Sequence, residues 1–238
     1  MAGFVDQAGE QAADRDPLGR SSIAERVADL LRTRIGEGFY PPGERMREDG
    51  ISRELGISRN TLREAFRLLT HERLLAHELN RGVFVRRPSA ADVADIYRVR
   101  RMVECAALRA LGEPPYDVAG LEGAVVDGER AVAREDWNAL GAANFHFHRE
   151  LVALAGSPRT NQTMRTVLAE LRLAFYAHSD LRALHAPYLG RNRELTQALA
   201  RGETAEAERL LVEYLDDSSA QLTAALGELG GTEEKEPA

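Results

Sequence analysis

The chain has 238 residues, 44% hydrophobic and 29% charged, which is ordinary soluble composition with enough length for one or two packed domains. No apolar run approaches the roughly 20 residues that cross a bilayer and the N-terminus has no signal-peptide core, so a cytoplasmic protein without membrane contact is expected. The net charge of −7 divides unevenly: residues 21–87 hold 13 arginines against 10 acids, while residues 88–238 carry −8, so positive charge is concentrated in one segment, as a polyanion-binding domain requires.

Residues 1–20 mix Gly, Ala, Asp and Gln without periodicity and read as a disordered extension. Ser22-Ile23-Ala24-Glu25 then has capping-box spacing, and Ile23, Val27, Leu30, Leu31 and Ile35 form the apolar stripe of a first helix ending near Gly36 and Gly38. Pro41-Pro42-Gly43 forces a turn. From Asp49 a short helix needs outside packing for Ile51 and Leu55; Gly56 supplies a turn and Ser58 can cap the helix that follows. On that helix Arg59, Arg63 and Arg67 share one face, and Leu62, Ala65, Phe66 and Leu69 the other.

Helix, tight glycine turn and helix make the helix-turn-helix pattern, whose second helix enters the major groove of duplex DNA. Ser58, Arg59, Asn60, Thr61 and Arg63 are the expected contacts. Arginine can pair with guanine, asparagine with adenine, and threonine with a phosphate or a thymine methyl. A solvated basic face on an ordinary core helix is the plain alternative. Downstream, two extended runs around Asn80-Arg81-Gly82, ending in Val83-Phe84-Val85, predict a hairpin. This makes a winged helix-turn-helix with Arg81 and Gly82 at the wing, where glycine lets backbone approach phosphates.

The segments GEGFYPPGERM, ELGISRNTLREAFRLL and NRGVFV resemble the winged helix-turn-helix of GntR-type bacterial transcription regulators, over about residues 21–87. The resemblance implies DNA contacts at the same seven residues. Asp49 stands where relatives often have arginine, and Arg73 where they usually have glycine.

Arg86-Arg87-Pro88-Ser89 leads into a linker placed at residues 88–91, after which the sequence is helical almost throughout. Ser89-Ala90-Ala91-Asp92 can cap a helix carrying Val93, Ile96, Val99, Val103 and Leu108, and Gly112-Glu113-Pro114-Pro115 ends it. Five more helices are predicted at about 117–134, 136–155, 158–180, 185–201 and 203–227. The fold class is therefore mainly α: a winged helix-turn-helix with a small hairpin, then an antiparallel all-α bundle of about six helices over residues 92–229. GGTEEKEPA, residues 230–238, reads as a disordered tail, and a lone cysteine, Cys105, as a buried apolar residue.

Polar residues on apolar helix faces mark where a bundle would hold a ligand. Arg100, Asn144 with His148 one turn later, Asn192 and Tyr214 are such residues. The pieces YRVRRMVE, NFHFHRELVALAGSPR and NRELTQALARGETAEAERLLVEYL resemble the ligand-sensing helical domain, of FCD type, in the FadR branch of the GntR family. Many members hold a divalent metal there with an aspartate and three histidines. The corresponding positions are Asn144, His148, Asn192 and Tyr214, of which only the histidine survives, so no metal and no other cofactor is expected.

The resemblance instead implies a small organic acid or acyl effector, with Arg100 clamping a carboxylate, and a homodimeric repressor on a palindromic operator, released by the effector. A metal-dependent member of the same family is the alternative. An enzyme using His148 as a base is a weaker one, because the sequence shows no carboxylate partner or nucleophile beside it.

Overall fold

The computed structural model describes residues 23–233 apart from 177 and 179; the expected disordered extension, residues 1–20, the Ser22 cap and the end of the tail lie outside the described residues. Helix α1 spans Ile23–Gly36, α2 Glu48–Leu55 and α3 Arg59–His71, followed by strands β1 Leu75–Glu78 and β2 Gly82–Val85. Six helices follow: α4 Ala90–Arg109, α5 Ala119–Ala133, α6 Trp137–Ala153, α7 Pro158–Tyr176, α8 Leu181–Ala200 and α9 Thr204–Glu233.

The first core forms because α1 and α3 each turn one apolar stripe inward: Val27, Leu31 and Ile35 meet Leu62, Phe66 and Leu69. The expected α1 stripe needs correction, since Ile23 and Leu30 are 63% and 41% exposed and Ala24 and Ala28 take the inner positions. Helix periodicity fixed the stripe's existence, but small alanines let α1 pack more closely than its largest residues suggested. Gly56, at φ 63°, ends α2 and lets the chain reverse. Ser58 then accepts from the Thr61 amide at 3.1 Å and starts α3.

Beyond α3, Arg73 adopts φ 59°, the left-handed conformation that glycine takes without steric cost. The strands pair antiparallel in register from Leu75 with Val85 to Glu78 with Gly82, and Arg45 adds a backbone bridge to Phe84.

The second core lies among α4–α9, with α6 packed against α4, α5, α7 and α8. Ser89 and Asp92 form the expected capping box. Helix α8 starts at Leu181, one turn before its expected start, and contains Pro187. Proline cannot donate to the Ala183 carbonyl, and the Gln221 side chain of α9 does so instead at 2.9 Å while accepting from the Tyr188 hydroxyl at 2.8 Å. This tertiary replacement is why a proline that looks like a helix start lies inside one. Helix α9 likewise continues through Gly230 and Gly231, where the sequence suggested a stop.

The two cores are joined through α7. Leu173, fully buried, belongs to the first core although α7 lies in the bundle. The Tyr176 hydroxyl donates to the Gly36 carbonyl at 2.8 Å, and Arg86 bridges Glu170 at 2.5 Å and Asp92 at 2.7 Å. No helix among the described residues is long and apolar enough to cross a membrane.

Candidate nucleic-acid interface and buried polar site

The seven residues expected to touch DNA fall on one side of the N-terminal unit. Ser58, Arg59, Asn60 and Arg63 are exposed and Thr61 half-exposed at the start of α3, while Leu62, Ala65 and Phe66 are buried behind them. Arg63 and Arg67 flank a groove of about 460 Å³ whose far wall is His77 and Val83 of the wing. Arg81 is exposed at the hairpin end, pairs with Glu78 and lies 5.4 Å over the Phe84 ring. Gly82 adopts φ 112°, a backbone conformation that residues with side chains rarely take, and the Arg45 guanidinium lies 3.4 Å from where a Cβ would stand, an ordinary contact distance.

Two features of this face escaped the sequence. Arg45 and Arg47 line a second cleft, of about 620 Å³, with Glu48, Asp49 and Gly82. They precede α2 in irregular chain, so no periodicity assigns them a face; only the wing pairing does. The second feature is acidic. Asp49 lies 3.0 Å from Arg59 and Glu48 2.9 Å from Arg63, all partly solvated. These carboxylates hold the arginines in place and reduce the positive field a phosphate would meet.

The five polar residues singled out in the bundle converge. Asn144 accepts at one oxygen from the Asn192 amide at 2.8 Å and from the Tyr214 hydroxyl at 2.9 Å. The His148 ring stands 4.9 Å from that of Tyr214. Arg100 and His148 meet through a residue the sequence reading passed over: Glu104, fully buried, accepts from Arg100 Nε at 2.7 Å and lies 2.7 Å from His148 Nδ1. The expectation that His148 has no carboxylate partner is therefore wrong. Arg100 and Glu104 are one turn apart on α4, a spacing that could have revealed the pair.

Charge in this cluster is set by burial against mutual pairing. Burial alone would push the Glu104 carboxyl up, but Arg100 and then His148 outweigh it and hold it below its ordinary range. Burial keeps His148 below the usual imidazole range despite Glu104, so the neutral ring donates from Nδ1 to the carboxylate and leaves Nε2 an acceptor. Burial also pushes the Tyr214 phenol up and keeps it protonated. Arg100 Nη2, His148 Nε2 and Asn192 Oδ1 are buried without a hydrogen-bond partner among the described residues.

A divalent cation does not suit this donor set. His148 supplies the single imidazole, Asn144 and Asn192 are neutral amides, the phenol holds its proton and donates it to Asn144, and the Arg100 guanidinium shares the site. Among the described residues no group of three or more His, Cys, Asp or Glu is placed to hold a metal.

Comparisons with known proteins cover both halves of the chain. Residues 23–85 match the family described as bacterial regulatory proteins, gntR family, and residues 95–217 match the FCD domain. A solved structure of a GntR transcriptional regulator from Rhodococcus sp. RHA1 is 44% identical, covers 86% of this chain and 99% of its own, and superposes with a TM-score of 0.82. A Paenarthrobacter nicotinovorans protein named "Probable D-xylose utilization operon transcriptional repressor" is 27% identical over 91% of this chain and 94% of its own. The fold is shared with Escherichia coli McbR/YncC, 19% identical, which covers 85% of this chain and 98% of its own, at a TM-score of 0.73. With an exposed basic recognition helix beside a wing and an all-helical FCD domain behind it, this chain belongs to the GntR family of DNA-binding transcription regulators and is not an enzyme.

Proposed function

We propose that the protein is a homodimeric, ligand-responsive repressor that binds a palindromic operator and leaves it when a small organic acid enters the helical domain. The observation that carries the DNA half is the solvated face of α3 beside the wing. Ser58, Arg59, Asn60, Thr61 and Arg63 contact the major groove and Arg81 and Gly82 the flanking backbone, joined by Arg45 and Arg47 on phosphates. A two-fold dimer presents one such unit to each half-site.

The effector half rests on the three unpartnered polar atoms of Arg100, His148 and Asn192, because buried polar groups are rarely left unsatisfied. The guanidinium donates, whereas His148 Nε2 and Asn192 Oδ1 accept. The complementary ligand carries a carboxylate for Arg100 and one or more hydroxyls for the other two, the chemistry of a small hydroxy acid. Asn144 and Tyr214 then orient Asn192 from behind. Ligand affinity must differ between the DNA-competent and DNA-free arrangements for this to regulate anything.

The test is selection of bound sequences from a random duplex pool, followed by a screen of hydroxy acids and simple acids for release of the recovered site. His148→Ala should keep operator affinity and lose the response. Sequence-blind, purely salt-dependent binding would overturn the operator reading. Release by unsubstituted acids alone would overturn the hydroxyl assignment.

A further inference from the structure

Between the N-terminal unit and the bundle runs a cleft of about 390 Å³, separate from the buried polar cluster. Its walls are Arg32 and Gly36 of α1, Phe145 and Arg149 of α6, and Arg165 and Arg172 of α7. Glu37 is the one acid on its lining. Arg32 is already neutralised by Glu72 at 2.6 Å and by Asp29. The other three guanidiniums have no carboxylate partner among the described residues: Arg165 bonds the neutral Gln162 side chain, and Arg172 touches the Tyr176 hydroxyl at 3.3 Å and lies 5.7 Å over the Phe145 ring.

Every arginine of α4, namely Arg98, Arg100, Arg101 and Arg109, is in an ion pair, whereas Arg149, Arg165 and Arg172 line one cleft with no carboxylate bound to them among the described residues. Unpaired arginines facing one another across a cleft repel, and a multivalent anion relieves that repulsion.

A second observation lies at the same place. Ala142, Phe145 and Arg172 also line a narrow crevice that ends on His185. His185 is 3% exposed, stacks on Phe175 at 4.5 Å, and has Nδ1 buried without a partner. Gly141 makes room for this ring, since a Cβ there would stand 2.7 Å from its Nε2. The cleft thus combines guanidiniums without carboxylate partners and an aromatic wall at Phe145, and the adjoining crevice holds the buried imidazole.

We infer that this cleft is a second ligand site, which binds a small oxyanion of charge −2 or more through Arg149, Arg165 and Arg172. Its ligands are polycarboxylates or phosphate esters, which share the bidentate oxygens that guanidinium recognises. The three arginines belong to the bundle and α1 of the DNA-binding unit forms another wall, so an anion held by the bundle lies against the DNA-binding unit. This does not depend on the effector assigned to Arg100 and His148.

The experiment is calorimetric titration of the full-length chain with sodium pyrophosphate and, separately, with propane-1,2,3-tricarboxylate, which lacks the hydroxyl that the buried polar site calls for, each against chloride of matched ionic strength. Saturable binding of at least one, with a rise in unfolding temperature, is expected, and the tighter of the two names the source. Arg149→Ser with Arg165→Ser should weaken it at least about tenfold while unfolding like the parent without anion, because both side chains are exposed. Arg149→Lys with Arg165→Lys should fall between, and Arg159→Ser, an exposed α7 arginine outside the cleft, should bind as the parent does. The assignment is overturned if neither anion saturates, if the double serine variant binds like the parent, or if Arg159→Ser loses the anion. It is equally overturned if the serine variant loses operator affinity in anion-free buffer and neither anion binds, since the arginines would then be backbone contacts.

Discussion

Replacing Glu104 by Gln removes the one negative charge in a fully buried cluster and leaves Arg100 without its counter-ion. Glu104 is 0% and Arg100 2% exposed, with 2.7 Å between Nε and the carboxylate. Solvent therefore cannot screen the loss. Breaking a buried pair from one side costs about 3–5 kcal/mol, because the surviving charge stays desolvated. For a chain of this size each kcal/mol lowers the unfolding midpoint by about 2–4 °C, so a fall of roughly 6–20 °C is expected. Calorimetry and urea unfolding followed by far-UV circular dichroism measure it.

The paired control is Arg100→Met with Glu104→Gln, which removes both charges and lets the glutamine oxygen still accept from His148. It should recover half or more of the loss, a positive coupling between neighbours. A Glu104→Gln protein within about 1 kcal/mol of the parent, or a double variant as weak as the sum of its singles, would refute the buried-pair account. The carboxyl's contribution also has a pH signature. Its folded value lies below the ordinary 4.5, so the stabilisation is complete above that pH and fades as pH falls through the folded value.

Other changes report on separate parts of the molecule. Arg59→Ala should weaken specific binding by about 1–3 kcal/mol and relax base preference at one position, read by repeating the sequence selection. Glu48→Gln with Asp49→Asn frees Arg63 and Arg59 from their carboxylates; affinity for random duplex should rise and its salt dependence steepen, and unchanged binding would show that these acids do not mask the recognition helix. Burial, reinforced by Arg172, pushes His185 down to about 4 from an ordinary 6.5. Its neutral form is thus required for folding, and stability should fall by about 3 kcal/mol as pH drops from 6.5 to 4. His185→Phe should flatten that acid limb of the urea midpoint; an unaltered slope would assign it to other groups.

Legibility differed between the two halves for a physical reason. In the N-terminal unit each decisive feature is local: a glycine turn at Gly56, a serine cap at Ser58, one helix with a basic and an apolar face. Such signals are complete within a few residues, and the structure reproduces them. The wing was legible from Asn80-Arg81-Gly82, but the pairing of Arg45 with Phe84 was not, because it joins residues about forty positions apart.

In the bundle, periodicity located six helices and singled out the polar residues on their inner faces. It could not say which of them meet. Glu104 shows the limit: its spacing from Arg100 on α4 offers an ion pair but does not say that the pair is buried, and only α6, bringing His148 beside it, makes it the centre of the cluster. The arginine-lined cleft is a product of packing, since Arg149 meets Arg165 and Arg172 only where α6 lies against α7, and α1 adds a further wall. Sequence by itself determined the elements and the chemistry each carries, because caps, turns and amphipathic faces are short-range. Tertiary structure decided which charges are paired, buried or left free, because those depend on what a neighbouring helix places within a few ångströms.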